Sequence, residues 1–397
     1  MKNCLFKRAL ILLFWVGCVY ADSFYSSVGL GLPQWRTSTY SAGMGGSGLA
    51  LNSYLALNTM NPAAQDLKGM SVVSAGVEME IVTPTIENQT AATRQARPTG
   101  FFMALPLGKK PAFILGFQPR TQSAFIAVDE QPYDDGFLRR TVDAKGGIYN
   151  ASIGLQYAFY PRLAVGAIFD VYFGSFRELW KTDFDAPAYL DTKETFLSHF
   201  TGTGSRFGIY WQPINYFSLG LTYAPSSALQ SRTLITTGGG YNLAPLKQKA
   251  EYPEQFAAGL GVHLDKITLA FDWLQESWGK FKIDGKKSAQ VGDAARASFG
   301  LQYLDSQDPL AAYGRRIAFR IGGSYSKLPF IDPLGHQVRE TIFAFGFGFP
   351  FRKNAGRIDV ACEIGQRLSD SNFPYSENLT RITISATIVE RWFIHRR

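Results

Sequence analysis

Phe343, Phe345, Phe347, Phe349 and Phe351 stand at strict period two near the C-terminus, separated only by Ala344, Gly346, Gly348 and Pro350. Successive side chains of a β-strand point to opposite faces, so this segment is a strand with one aromatic face and one nearly bare face. A helix would scatter the same rings around its axis. Two architectures tolerate such a face. A soluble sandwich hides it against a second sheet, and a transmembrane barrel presents it to lipid.

The N-terminus bears on the compartment. Lys2, Lys7 and Arg8 form a basic region, Ala9 to Val16 is apolar, and Val19-Tyr20-Ala21 fits a cut before Asp22. This reads as a cleaved secretory signal over residues 1–21, too short for a membrane span. A competing lipoprotein signal ending at Cys18 would place Trp15 at its −3 position, a poor fit. After cleavage Cys362 is the one cysteine left, so no intramolecular disulfide can form. Removing Lys2, Lys7 and Arg8 from the 40 Lys+Arg leaves 37 against 32 Asp+Glu, a net +5. That charge is spread along the chain and does not point to nucleic acid. The 31 Phe, 19 Tyr, 7 Trp and 39 Gly, with little helical periodicity, leave an exported β protein as the class.

Alternation recurs along the chain. Leu163, Val165, Ala167, Phe169, Val171 and Phe173 oppose Ala164, Gly166, Ile168, Asp170 and Tyr172. Similar patterns occupy Ile267–Trp273, Ile358–Ile364 and Arg381–Ile388. Arg206, Arg296, Arg320 and Arg381 fall on the face opposite the aliphatic one, as do Glu78, Glu80, Asp170, Asp272, Asp359 and Glu363. Tight connections at Tyr160-Pro161-Arg162, Pro213-Ile214-Asn215 and Leu264-Asp265-Lys266 alternate with long polar ones at Arg120–Lys145, Glu178–Gly202 and Leu229–Tyr252. Short turns at one end and long loops at the other mark an outer-membrane barrel. The expected fold is all-β, a transmembrane antiparallel barrel of about fourteen strands over residues 69–393, with a basic tail at 394–397. The Asp305–Gly314 connection is long for a short-turn end. Residues 22–68 do not alternate and are glycine-rich, and are expected to form a hatch, or plug, inside the barrel.

Four segments resemble the long-chain fatty acid transporter family of outer-membrane proteins, which includes aromatic hydrocarbon importers. They are Ser41–Ala50 followed by Asn61-Pro62-Ala63; Tyr210-Trp211-Gln212-Pro213 running to Leu219–Tyr223; Tyr252–Phe256 with Gly259, Leu269–Trp273 and Trp278; and the closing strand Glu377–Phe393. The resemblance implies a hatch built on Gly43, Gly45, Gly46, Asn61, Pro62 and Ala63. It also implies passive uptake of hydrophobic molecules caught by extracellular loops, with sideways exit beside a kinked third strand. Gly116 and Pro119 are the candidate kink, since glycine lets a strand bend and proline removes a ladder donor. Alternatively Pro119 simply ends the strand. The chain departs from the family pattern at Asn52-Ser53-Tyr54, where acidic residues are familiar, and in running past Phe393 to Ile394-His395-Arg396-Arg397.

Other chemistry finds little support. Gly43–Gly48 matches G-x-G-x-x-G, but no βαβ unit surrounds it. His199, His263, His336 and His395 are far apart and lack metal-ligand spacing, so neither metal nor cofactor is expected. Ser198 and Ser326 near His199 and His336 are the material for a hydrolase, but such residues are common in loops, and an enzyme is not expected. The inward charges read as a network stiffening the wall. Alternatively Arg206 or Arg320 anchors a ligand carboxylate through a bidentate pair. The reading is an outer-membrane channel for fatty acids or hydrocarbons, a monomer in contact with membrane lipid and lipopolysaccharide. The alternative is an accessory barrel of a protein secretion system acting as a surface platform.

Overall fold

In the computed structural model the alternation closes on itself. The structure describes residues 23–35, 38–86, 89–90, 92–133, 136–160, 162–185, 189–351, 354–369 and 373–392. The expected signal peptide and basic tail lie outside these residues. Fourteen antiparallel strands form the wall: β1 Ser71–Ile86, β2 Thr93–Pro106, β3 Pro111–Tyr133, β4 Gly136–Tyr160, β5 Leu163–Phe184, β6 Thr192–Ile214, β7 in two pieces (Phe217–Ala224, Ser227–Thr236), β8 in two pieces (Leu246–Tyr252, Gln255–Leu264), β9 Ile267–Glu276, β10 Ala294–Tyr303, β11 Ala318–Ile331, β12 Gln337–Phe351, β13 Gly356–Leu368 and β14 Tyr375–Glu390. β1 pairs with β14 from Ser71↔Glu390 to Ile86↔Tyr375, which closes the barrel. No described helix is long and apolar enough to cross a membrane, which says nothing against crossing by strands.

The phenylalanine ladder lies on β12 and faces outward, with Phe343 77% exposed, while Ala344, Gly346 and Gly348 are buried inside. Nearby strands continue the apolar outer band with Phe319, Ile321, Ile364 and Ile384. Burial of apolar area cannot explain so greasy an exterior in water, but lipid can.

One expectation is corrected. The stretches Arg120–Lys145, Glu178–Gly202 and Leu229–Tyr252 are not long loops. β3 and β4 pair from Thr121↔Ile148 to Tyr133↔Gly136, and β5 and β6 up to Thr182↔Thr192. β7 and β8 pair up to Thr233↔Leu246. Beyond the apolar band both faces of a hairpin meet water, so polar–apolar alternation fades although the ladder continues. Cross-strand charges hold it there instead, as in Glu130↔Arg139 and Asp129↔Arg140. At the short-turn end the connections between β4 and β5, β6 and β7, and β8 and β9 are as short as expected. The link between β10 and β11 is long, and carries a 3₁₀ turn at Tyr313–Arg316. Hydrogen bonds from Lys266, then from Arg315, hold Asp305 in that link below the usual carboxylate range.

Candidate functional site

The interior is occupied by the chain's own N-terminal segment. A four-residue helix α1 (Thr39–Ala42) is followed by tight turns through Gly45, Gly46 and Gly48, all with positive φ. Inward glycines of the wall receive these turns. A β-carbon on Gly322 of β11 would lie 2.3 Å from the Met44 carbonyl carbon, and one on Gly45 would lie 2.3 Å from the Gly323 nitrogen. Gly43 meets Gly346, the bare face of the phenylalanine strand, with Gly346 Cα 3.1 Å from where the Gly43 β-carbon would be. Further along, Pro62 fills the space beside Gly166, and Asn61 that beside Gly208.

Polar contacts fix the same segment. Asp272 accepts hydrogen bonds from the Gly48 and Leu49 amides at 2.7 and 2.8 Å, and Arg296 donates to the Gly46 carbonyl at 2.5 Å. Asn61 donates to the Ile209 carbonyl at 2.9 Å, and Gln156 donates to the Ala63 carbonyl at 2.9 Å. On the long-hairpin side Tyr25, Leu30, Leu32 and Trp35 join Leu274, Trp278 and Phe330 in an apolar core inside the barrel. Beside it runs a buried network. Arg381 reaches Glu80 at 2.7 Å and Glu340 at 3.1 Å, and Arg367 reaches Glu340 at 2.8 Å and Glu377 at 3.0 Å. Ser23 donates to Glu377 at 2.7 Å, tying the start of the described chain to β14. Buried ions survive only when paired and hydrogen-bonded, and these are.

The wall has a seam. Among the described residues the β2–β3 ladder runs only from Phe101↔Phe117 to Pro106↔Ala112. Gly100 sits at the last step with φ +142, where a β-carbon would lie 2.6 Å from the Phe117 carbonyl oxygen. Above it, β3 does not end at Pro119. It bulges between Pro119 and Thr121 and continues along β4. The bulge turns Arg120 into the lumen, where its guanidinium lies over the Tyr252 ring at 5.6 Å. The edge of β3 that β2 leaves is taken from inside. Leu32 and Pro33 pair with Gln122 and Thr121, Ser23 N–H reaches the Ala124 carbonyl at 2.7 Å, and Gln34 N–H reaches the Arg120 carbonyl at 2.8 Å. Gln122 Nε2 and Gln95 Oε1 touch across the seam.

Gly116 therefore lies at the last paired steps of the seam and Pro119 just beyond. Beneath Gly116 is a narrow apolar cavity of about 20 Å³, lined by Leu57, Phe102, Ile114 and Ile168 and bordered by Arg206. Arg206 donates to the Thr59 carbonyl at 3.3 Å and approaches Asp170 at 3.5 Å, while Asn150 at 2.6 Å and Ser152 at 2.5 Å also hold Asp170. Arg320 is elsewhere. It bonds Asp359 at 2.7 Å and Gln302 at 2.9 Å, and lies over the Tyr40 ring at 4.4 Å. Arg120, Tyr40 and the Ser23–Glu377 bond carried no sequence signal, since each depends on which strands meet across the lumen. Asp272 and Arg296 were legible as inward charges, but not as holders of the glycine turns.

A family model described as BamG matches residues 5–397. The chain belongs to the BamG family. No curated protein matches it. Solved structures share the fold of this BamG chain. A Pseudomonas aeruginosa FadL homologue is 13% identical with a TM-score of 0.64, covering 91% of this chain and 100% of its own. The Ralstonia pickettii toluene transporter TbuX is 16% identical with a TM-score of 0.59, covering 89% and 98%. The Pseudomonas putida toluene transporter TodX is 18% identical with a TM-score of 0.56, covering 90% and 98%. The likeness read from the four sequence segments thus holds for this BamG chain as one of fold.

Proposed function

We propose that the chain is an outer-membrane barrel that passes hydrophobic compounds, fatty acids or aromatic hydrocarbons, from its long-hairpin end to a lateral exit between β2 and β3. The observation that carries this reading is the seam. The β2–β3 ladder ends one step above an apolar cavity that lies against the paired residues Phe102 and Gly116, and the edge left open beyond it is guarded by residues 23–34 rather than by a neighbouring strand. At the long-hairpin end is a cup of about 200 Å³ with a mixed lining, Phe125, Phe176, Phe200 and Ile283 beside Ser123, Glu178, Ser198 and Gln248, which offers an amphipathic ligand both an apolar wall and polar anchors. The cavity beneath Gly116 holds about one water. Passage of a hydrocarbon therefore requires the hatch to shift around Leu57 and Pro62.

Cysteines replacing Gln95 and Gln122, with Cys362→Ser, place a thiol on each side of the seam. Joining them with a short bis-maleimide is expected to stop uptake of toluene into reconstituted vesicles while the barrel stays folded. Undiminished uptake after cross-linking removes the lateral route. Arg206→Ala is expected to weaken uptake of a fatty acid roughly tenfold, about one charge-assisted hydrogen bond, and to spare toluene. Equal loss for both compounds would return Arg206 to a purely structural role.

The second reading, an accessory barrel of a secretion machine, draws support from the same filled interior, since glycine-to-backbone packing leaves the segment 43–62 little slack. It takes precedence if the unmodified protein carries neither compound.

A further inference from the structure

On the outward face, at the upper edge of the aromatic band, like charges stand opposite one another across neighbouring strands. Lys145 of β4 faces Arg177 of β5, Arg232 of β7 faces Lys247 of β8, and Lys327 of β11 faces Arg339 of β12. Directly opposed residues bring their β-carbons to about 4.5–5.5 Å, and like charges at that spacing are destabilising. Arg177, Arg232, Lys247 and Lys327 are exposed and Lys145 and Arg339 half-buried, all on outward positions. Lys145 also meets Asp143 at 3.3 Å. The hairpin tip shows the contrary arrangement, with Glu130 opposite Arg139 and Asp129 opposite Arg140. Opposite charges thus hold the β3–β4 tip, whereas the β5–β6 hairpin carries a further cation pair near its tip, Lys181 opposite Lys193, above the pair at Lys145 and Arg177.

Two of the three pairs sit over aromatic rings. Two outward steps below Lys145↔Arg177 comes Tyr149↔Phe173, whose rings stack 6.3 Å apart. One step below Lys327↔Arg339 is Tyr325↔Thr341, and the next brings Phe343, the top of the ladder. Below Arg232↔Lys247 comes Gln230↔Lys249, which adds a further cation. In a membrane-spanning barrel an aromatic girdle marks the interface, so the cations stand at headgroup height. A phosphate between two cations accepts charge-assisted hydrogen bonds from both and turns their repulsion into binding. The pairs occupy three separate parts of the wall rather than one patch, which suits a surrounding lipid better than a single protein partner.

We propose that Lys145–Arg177, Arg232–Lys247 and Lys327–Arg339 are headgroup sites that hold the phosphates of lipopolysaccharide in the outer leaflet. This rests on the outer-membrane placement proposed above. The test titrates the purified full chain in detergent with bisphosphorylated lipid A carrying its inner-core acidic sugars, with the same lipid dephosphorylated, with inorganic phosphate and with an acidic peptide. Lys327→Glu removes one cation of its pair, so it is expected to weaken binding of the phosphorylated lipid at that site. The triple variant Arg177→Glu, Arg232→Glu, Lys327→Glu is expected to lose at least about tenfold in affinity, one charge-assisted bond per site being sufficient. Wild-type affinity in the triple variant overturns the proposal, as does equal binding of the dephosphorylated lipid. Inorganic phosphate binding as tightly as the lipid makes these free-anion sites, and preference for the acidic peptide makes them a protein surface; either result also overturns it. Membrane fractionation reports the placement independently, so a misplaced barrel and a failed headgroup site are read as different failures.

Discussion

Gly322→Val is expected to unseat the N-terminal segment and leave the wall able to close. The β-carbon alone would lie 2.3 Å from the Met44 carbonyl carbon and 2.5 Å from its oxygen, which is backbone and cannot rotate away. Gly300, its partner on β10, is equally tight, with a β-carbon position 2.5 Å from Met44 Cβ. Overpacking costs about 1–3 kcal/mol where side chains can yield, and a backbone clash lies at or above the upper end. The outward residues Phe319, Ile321 and Phe345 are untouched, so the lipid-facing surface and the ladders survive. The folded, heat-modifiable band on cold gels should persist. Residues 38–60 should become open to protease, and the barrel should conduct ions in planar bilayers. Gly314→Ala, where a β-carbon meets open space, is the control and should change nothing. A closed, protease-resistant Gly322→Val barrel would mean that the glycine sockets do not hold the segment.

The second large effect is expected at Asp272. Its carboxylate is buried and one oxygen takes both the Gly48 and Leu49 amides. Hydrogen bonds to a charged group are worth about 1.5–3 kcal/mol each, so Asp272→Ala should cost roughly 3–6 kcal/mol and leave two buried amides without an acceptor. Asp272→Asn keeps one acceptor without the charge and should recover about half. Urea unfolding in detergent, followed by tryptophan fluorescence, reads the difference, because Trp35 and Trp278 sit in the core that the segment completes. An unchanged midpoint for Asp272→Ala would show that the amides find other partners when the carboxylate is gone.

What the chain disclosed before folding follows from where a single period governs it. β5 and β12 lie within the apolar band, where lipid on one side and packed interior on the other force alternation, and both were legible residue by residue. The upper parts of β3 to β8 have water on both faces, so Arg120–Lys145 looked like loop although it forms two paired strands. Pro119 read equally well as a kink or a terminus. The choice depends on β4 continuing opposite it, which no local pattern records. Inward charges were visible as a class, but their partners were not: Arg381 meets Glu80 across 301 residues of sequence. The glycines of the wall gave the least away. Gly346 read only as part of a bare strand face and Gly322 carried no reading at all, and the register of β11 and β12 shows that Gly43 and Met44 fill the space beside them.

The bond between Ser23 and Glu377 spans 354 residues, and Tyr25 donates to the Tyr375 carbonyl across 350. Contacts so remote in sequence form slowly, because nearly the whole chain must be ordered before they pay back their loop entropy. A chain delivered from its N-terminus therefore presents residues 23–35 long before β13 and β14 exist to receive them. Until then those residues have only their earlier partners, chiefly the edge of β3 at Thr121 and Gln122, while the remaining hairpins add on. The last strand then completes the wall and brings Tyr375 and Glu377 to these residues in one event. The plug is thus not a part fitted to a finished vessel. Closing the barrel and docking its earliest residues draw on the same final strand, so the two are coupled.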